Sequence, residues 1–317
     1  MHKPENALVA YGMSLLLIIF AFLGIPLEAE EAKGISSTDL SVTVSSIPEA
    51  KLTLTQNYTR PFLQGSHALT QGNTIHSSVS GEISPISLNI GGELTLTPIA
   101  FFQLIAGTKI GTGWNIDLGS PIIGIGINRP EENGEKATVD GYAFDGIFWK
   151  AHLGGVLQFD LAALFPGDWH HVVFRTYHEA NYKLFSHAHG HDAWYYESDF
   201  GENQNGFNYY GNALVGYQMP IFLTMVGLLA EVDLYLYDTP EGKLWGDSLP
   251  RWYFGALLNF RIAPWLEAAL ITQLRTMRQY TKETRNYEYY RARRLESPGA
   301  MTLEFYRVAA ILTFHLR

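Results

Sequence analysis

The chain has 317 residues, no cysteine, 14% aromatic and 17% charged residues, and a formal net charge of −9. The lack of cysteine excludes disulfides and a lipidated cysteine. An acidic balance of this size argues against nucleic acid as a partner, because phosphate contacts need a basic surface. No shift in composition splits the chain into two long halves, so one domain is expected.

Residues 1–29 have the form of an export signal, with Lys3 at the start, an apolar run over Leu8–Leu23, Pro26, and a small-residue site at Leu27-Glu28-Ala29. The run approaches the ~20 residues a membrane helix needs, so an uncleaved anchor is the alternative. Residues 30–317 then form a single domain.

Beyond the signal the hydrophobic period is two, which is the period of a strand. Asp39–Thr59 keeps Leu40, Val42, Val44, Leu52 and Leu54 on one face, interrupted at Pro48, where a kink or an extra segment is expected. Pro61–Ser78 is rich in Gly, Ser, Gln and His and reads as a loop. Glu82–Thr97 and Ile99–Asn115 make a hairpin turning at Pro98. Ile116–Gly141 is a long connection.

The clearest unit is Phe144–Lys183. Trp149, Ala151, Leu153, Gly155, Leu157 and Phe159 share one face of its first arm, and Lys150, His152, Gln158 and Asp160 the other. The second arm, after Pro166-Gly167-Asp168, repeats the pattern. Phe185–Gly206 is a polar loop. Phe207–Met219 pairs with Ile221–Tyr237, Arg251–Ile262 pairs with Trp265–Tyr280, and Met301–Arg317 is the last strand.

These segments predict an all-β, antiparallel, up-and-down transmembrane barrel of about 10 strands, with 12 as the alternative if Pro48 or residues 115–143 hide further strands. Short connections fall at Pro98, Phe165–His170, Pro220 and Ala263-Pro264. Long ones fall at 60–80, 115–143, 185–206, 238–250 and 281–300, as in membrane barrels with brief periplasmic turns and longer outer loops.

A soluble barrel has the same period with its apolar face inside, so the direction must come from elsewhere. The arms exceed the ~10 tilted residues that cross a bilayer's apolar band. Large aromatics gather at the ends of the apolar face: Trp114, Trp149, Tyr182, Tyr209 and Trp252 toward the long loops, and Phe165, Trp169, Tyr217, Phe260 and Trp265 toward the short turns. Two such girdles suit rings at lipid headgroups.

At the C-terminus Tyr306, Val308, Ala310, Leu312, Phe314 and Leu316 hold one apolar face to the end. This tail resembles that of bacterial outer-membrane β-barrel proteins, although Arg317 stands where an aromatic is usual. The resemblance implies a place in the bacterial outer membrane, contact with its lipid, and delivery by the barrel-assembly machinery through the last strand.

The polar face then delivers Lys109, Lys150, His152, Arg175, Glu179, Glu231, Asp233, Arg261, Glu267, Arg275 and Arg307 to the lumen, together with Glu93 and Asp160. With both signs present, a narrow lumen partly closed by ion pairs is expected, and a porin-like channel or structural surface protein is the leading function. His187, His189 and His191 alternate in the 185–206 loop and form a candidate divalent-metal group. The rival class is an outer-membrane hydrolase. An omptin-like protease is similar in its strand count and would draw on Asp192, Asp199, Asp238 or Asp247. A lipid-modifying enzyme would need a serine beside His178, and only Thr176 stands there at that spacing. Lys282, Arg285, Arg291, Arg293 and Arg294, among tyrosines, could meet anionic headgroups or glycans, or simply be solvated.

Overall fold

A computed structural model describes residues 34–47, 49–117, 121–130, 138–197 and 199–316. The expected export signal at residues 1–29 lies outside them. No helix among them is long and apolar enough to cross a membrane, which does not bear on crossing by strands.

Twelve antiparallel strands close into a barrel: β1 Ile35–Ser45, β2 Glu49–Pro61, β3 Thr74–Ile83, β4 Ser87–Ile99, β5 Phe102–Gly113, β6 Phe148–Asp160, β7 Val172–Phe185, β8 Gly206–Gln218, β9 Leu223–Tyr235, β10 Arg251–Ala263, β11 Leu266–Arg278 and β12 Met301–Leu316. Each strand pairs with its neighbour in sequence. β12 returns to β1 over Thr38–Ser45, with Leu40 opposite Phe314 and Val42 opposite Leu312.

Twelve strands therefore stand where about ten were the leading expectation. Both extra strands lie in the N-terminal third. The stretch Asp39–Thr59 is a hairpin, not one kinked strand: β1 and β2 pair from Ile35–Thr59 to Ser45–Glu49. Its apolar residues stay in phase across the turn, so the pattern does not announce the reversal. The second is β3, within what reads as loop and strand start. Its outer face, Ile75, Ser77, Val79, Gly81 and Ile83, is diluted by Ser and Gly.

The described residues of 115–143 add no strand to the barrel. They hold short strands, of which Ile125–Arg129 pairs with Thr138–Gly141 and with Ala193–Tyr196 of the next long loop.

The extra strands also change which connections lie where. Residues 62–73, expected as an outer loop, lie at the same end as the turns 100–101, 219–222 and 264–265 and both barrel termini. The opposite end carries the short turns 46–48 and 84–86 beside the long connections 114–147, 186–205, 236–250 and 279–300. Outer connections of such barrels are the long ones, so this end faces outward.

The two faces of the wall separate by burial. Leu54, Ile90, Leu153, Leu157, Leu228, Leu303 and Phe305 lie on the outside and are half or more exposed, whereas Ser87, Asn89, Val156, Glu179, Asn181, Asn208 and Gln273 are buried within. Exposed apolar surface on this scale, continuous around a ring, is stable in hydrocarbon and not in water. Its aromatic ends are present. Trp149 donates from Nε1 to Thr108 at 2.9 Å and its ring meets Tyr182, while Trp265 stacks on Phe314 and Phe222 meets Phe260.

One residue of the last strand departs from its expected face. β12 carries a bulge, so that Gln273 faces Arg307 and the next residue, Leu274, faces Phe305. Phe305 and Val308 both point outward, three positions apart, and Tyr306 turns inward with its ring 5.3 Å from that of Tyr253.

Candidate functional site at the outer mouth

Two long connections fold together over the outer mouth. Their shared sheet packs Ile125, Ile127, Trp194 and Tyr196 on Phe148 and Phe185, the inward residues at the tops of β6 and β7. Tyr196 stacks on Phe148 with ring centroids 3.9 Å apart. Its hydroxyl donates to Asn89 on β4. Gly111 on the facing strand permits this approach, because a Cβ there would collide with both Asn89 and the Tyr196 hydroxyl.

After this sheet the chain crosses the mouth. Glu197, at φ 54°, turns the backbone and sends its carboxylate to the β2–β4 wall. It accepts from Lys51 Nζ at 2.8 Å, from Ser87 Oγ at 2.7 Å and from Asn89 Nδ2 at 3.0 Å. Five residues on, Glu202 reaches the β10–β11 wall. Its carboxylate accepts from Arg251 at 2.9 Å and from Arg278 at 2.5 Å. Arg291, from the 279–300 connection, donates to the carbonyls of His191, Glu202 and Asn203 at 2.8–3.0 Å. A second aromatic core of Tyr235, Trp245 and Tyr290, with Phe200, Tyr237 and Tyr280 against it, seats this end. The described residues of Ala193–Gln204 thus form a strap seated by its sheet at one end and anchored by charge at Glu197 and Glu202.

Burial by itself raises a carboxyl's pKa, but at both anchors the cations prevail. Arg278 and Arg251 hold Glu202 below the ordinary glutamate value, and Lys51 and Lys109 hold Glu197 below it.

Beneath and beside the strap lies a cavity of about 960 Å³, bounded by the short β1–β2 and β3–β4 turns, the strap, and the upper parts of β10–β12. Lys51, Lys183, Arg251, Arg275 and Arg307 line it together with Glu49, Glu197, Asp199 and Asp233.

Most of the expected inner-face charges meet partners. Lys109 pairs with Glu82 at 3.0 Å, Lys150 with Glu179 at 2.6 Å, His152 with Glu93 at 3.4 Å and Asp233 with Arg251 at 3.2 Å. Arg307 pairs with Glu49 at 2.5 Å and donates to Gln273 at 2.8 Å, and Glu231 accepts from Tyr210 and Gln273. Arg261 and Glu267 pair at 3.2 Å near the periplasmic rim, both largely exposed. Arg175 shares its side of β7 with Tyr177 and Glu179 and has Gln158 and Leu214 as register neighbours.

The three loop histidines are held apart. His187 stacks on Tyr142, the backbone N–H of His189 donates to Asp192, and His191 Nδ1 lies 3.2 Å from Gln204. Among the described residues no three His, Asp or Glu side chains form a group that could hold a metal ion. The imidazole–carboxylate contacts among those residues are His152–Glu93 within the barrel, and His171–Asp160 and His315 with Asp39 and Glu267 at the periplasmic end. None of them is at the outer mouth.

The basic residues of the 281–300 loop divide, with Lys282 and Arg285 exposed to solvent. Arg291 is buried on carbonyls, Arg293 lies over Tyr290, and Arg294 pairs with Glu241.

The anchors Glu197 and Glu202 and their partners Lys51 and Arg278 did not stand out in the sequence. The available signal was the aromatic triplet Trp194-Tyr195-Tyr196 inside a polar loop, since side chains of that size in a connection need something to pack on.

A closed antiparallel barrel, apolar outside and charged within, is a transmembrane β-barrel of the bacterial outer-membrane type. No protein-family model and no curated protein matches the chain. Among solved structures it is similar to three such barrels: the NanC porin, the KdgM porin in complex with disordered oligogalacturonate, and the translocator domain of the autotransporter NalP from Neisseria meningitidis. Identities are 6%, 9% and 7%, with TM-scores of 0.41, 0.37 and 0.39. The matches cover 88%, 89% and 98% of this chain, and 100%, 100% and 98% of the respective neighbours. Likenesses at this level say nothing of ligand or activity.

Proposed function

We propose that the protein is a narrow outer-membrane channel whose outer mouth is restrained by the Ala193–Gln204 strap. The cavity carries this reading. Barrels of about eight strands are filled by their own side chains and those of about sixteen hold open water-filled channels. Here about 960 Å³ remains at the mouth, lined by charged side chains. The strap is tied by ion pairs, which can be exchanged for water, and is not a covalent or wholly apolar plug.

The test is electrical. Purified protein in planar bilayers should give small, discrete current steps, and Glu202→Gln should give larger or more frequent ones. Silence from both at several voltages overturns the channel and leaves a structural surface protein. A hydrolase would instead cleave a peptide or acyl substrate and lose that activity when His187, His189 and His191 become alanine. Delivery to the membrane is assigned to the barrel-assembly machinery reading β12. Charged replacements at Leu312 and Phe314 should leave the chain in the periplasm.

A further inference from the structure

Five cations line the mouth cavity, and three are neutralised in place. Lys51 is held by Glu197, Arg307 by Glu49, and Arg251 by Glu202 and Asp233. Arg275 and Lys183 differ. Among the described residues neither has a carboxylate within 4.0 Å, and neither side chain donates a hydrogen bond to protein.

Arg275 is nonetheless fixed. Its guanidinium carbon lies 5.0 Å from the centre of the Phe200 ring and 4.6 Å from that of Tyr306. Phe200 belongs to the strap, and Tyr306 is turned inward by the β12 bulge. Cation–ring contacts hold a guanidinium without using its N–H groups. The buried Nε is left without a partner, and the terminal nitrogens are left to the cavity. The acids that line the cavity are already engaged, and the exposed Glu304, opposite Arg275 on β12, makes no ion pair with it. Glu49, Glu197 and Asp233 are paired, and Asp199 accepts from the Tyr196 and Gly201 N–H groups and from Asn203. Ile47, Ile86, Ile116 and Ile122 supply an apolar surround.

A rigid, planar, unspent donor fork matches a carboxylate or phosphate bidentately. We propose that Arg275, with Lys183 as a second cation, forms a subsite for an organic anion, whose carboxylate or phosphate meets the guanidinium while its apolar body lies against Phe200 and Tyr306. This deepens the channel reading and rests on it for access from outside. Binding is nevertheless measurable without conduction, so the two stand or fall separately.

The probes are benzoate and phenyl phosphate, with benzamide as the neutral counterpart, titrated by calorimetry into detergent-solubilised full-length protein. At least one anion should bind about tenfold or more tightly than benzamide. Arg275→Gln should remove that preference, and Arg261→Gln, at the far rim, should keep it. If Arg275→Gln fails to fold, as judged by heat-modifiable migration, Phe200→Leu and Lys183→Met serve as milder variants, each expected to weaken the anion several-fold. The proposal is overturned if benzamide binds as well as the anions, if no probe binds, or if Arg275→Gln binds like the unaltered protein. Current steps in bilayers without bound anion would overturn the subsite alone, and anion binding without current would overturn the channel alone.

Discussion

Arg278 Nη1 donates to Glu202 Oε2 at 2.5 Å, with 4% and 2% of the two side chains exposed. This contact joins the end of β11 to the strap across the mouth. Removing one partner of a buried pair leaves an uncompensated charge and costs about 3–5 kcal/mol. Glu202→Gln should therefore loosen the strap, raise single-channel conductance and speed proteolysis within residues 193–204. Glu241→Gln breaks the exposed pair with Arg294 and should change these by at most the ~1 kcal/mol of a surface ion pair.

Acid should act in the same direction. Glu197 and Glu202 have pKa values below the ordinary 4.5 in the folded protein. A depressed carboxyl contributes stability that is fully present above its unfolded value and is lost as pH falls through the folded value. Asp199 in the same strap, its carboxyl pushed up by burial to about 6, takes up a proton first. Because the folded form binds that proton more readily, this step does not open the strap, which should release only below 4.5. Conductance recorded stepwise from pH 7 to pH 3 checks this, and a rise beginning near pH 6 would point to another group.

Leu228 is 70% exposed near the middle of β9, facing lipid. Leu228→Arg should destabilise the barrel by about 2–4 kcal/mol, the usual cost of a cation at the bilayer midplane. Reversible denaturant unfolding in lipid vesicles gives the figure. Asn259→Arg, on the inner face of β10, should cost much less.

His178 lies on the outer face of β7 with its Nδ1 2.6 Å from the Tyr209 hydroxyl. The Tyr209 ring leans over Gly211, where a Cβ would come within 2.7 Å of that hydroxyl. Tyr209→Phe orphans an imidazole in hydrocarbon and should cost about 1–3 kcal/mol. Replacing both partners, His178→Leu with Tyr209→Phe, should be near neutral, and Gly211→Ala should disturb the pair by displacing the ring. The same vesicle unfolding measurement separates the three.

Strands with large outward residues were legible because period two is local. Leu153, Leu157, Leu228 and Leu270 report their own faces without knowledge of any neighbour. β3 was not legible, since Ser77 and Gly81 dilute its outer face. The β1–β2 reversal at residues 46–48 was hidden because a three-residue turn keeps Leu40, Val42 and Val44 in register with Leu52 and Leu54. Tyr306 was placed on the wrong face because a bulge adds one residue to one strand, which no alternation count within that strand reveals.

The sequence by itself determined that this chain is a barrel with hydrocarbon outside, because side-chain alternation, strand length and aromatic ends are properties of single segments. Tertiary structure alone decided what fills the mouth. Glu202 finds Arg278 76 positions away and Glu197 finds Lys51 146 positions away. Contacts that close across a ring depend on strand number, stagger and loop packing together, and a linear pattern carries none of these.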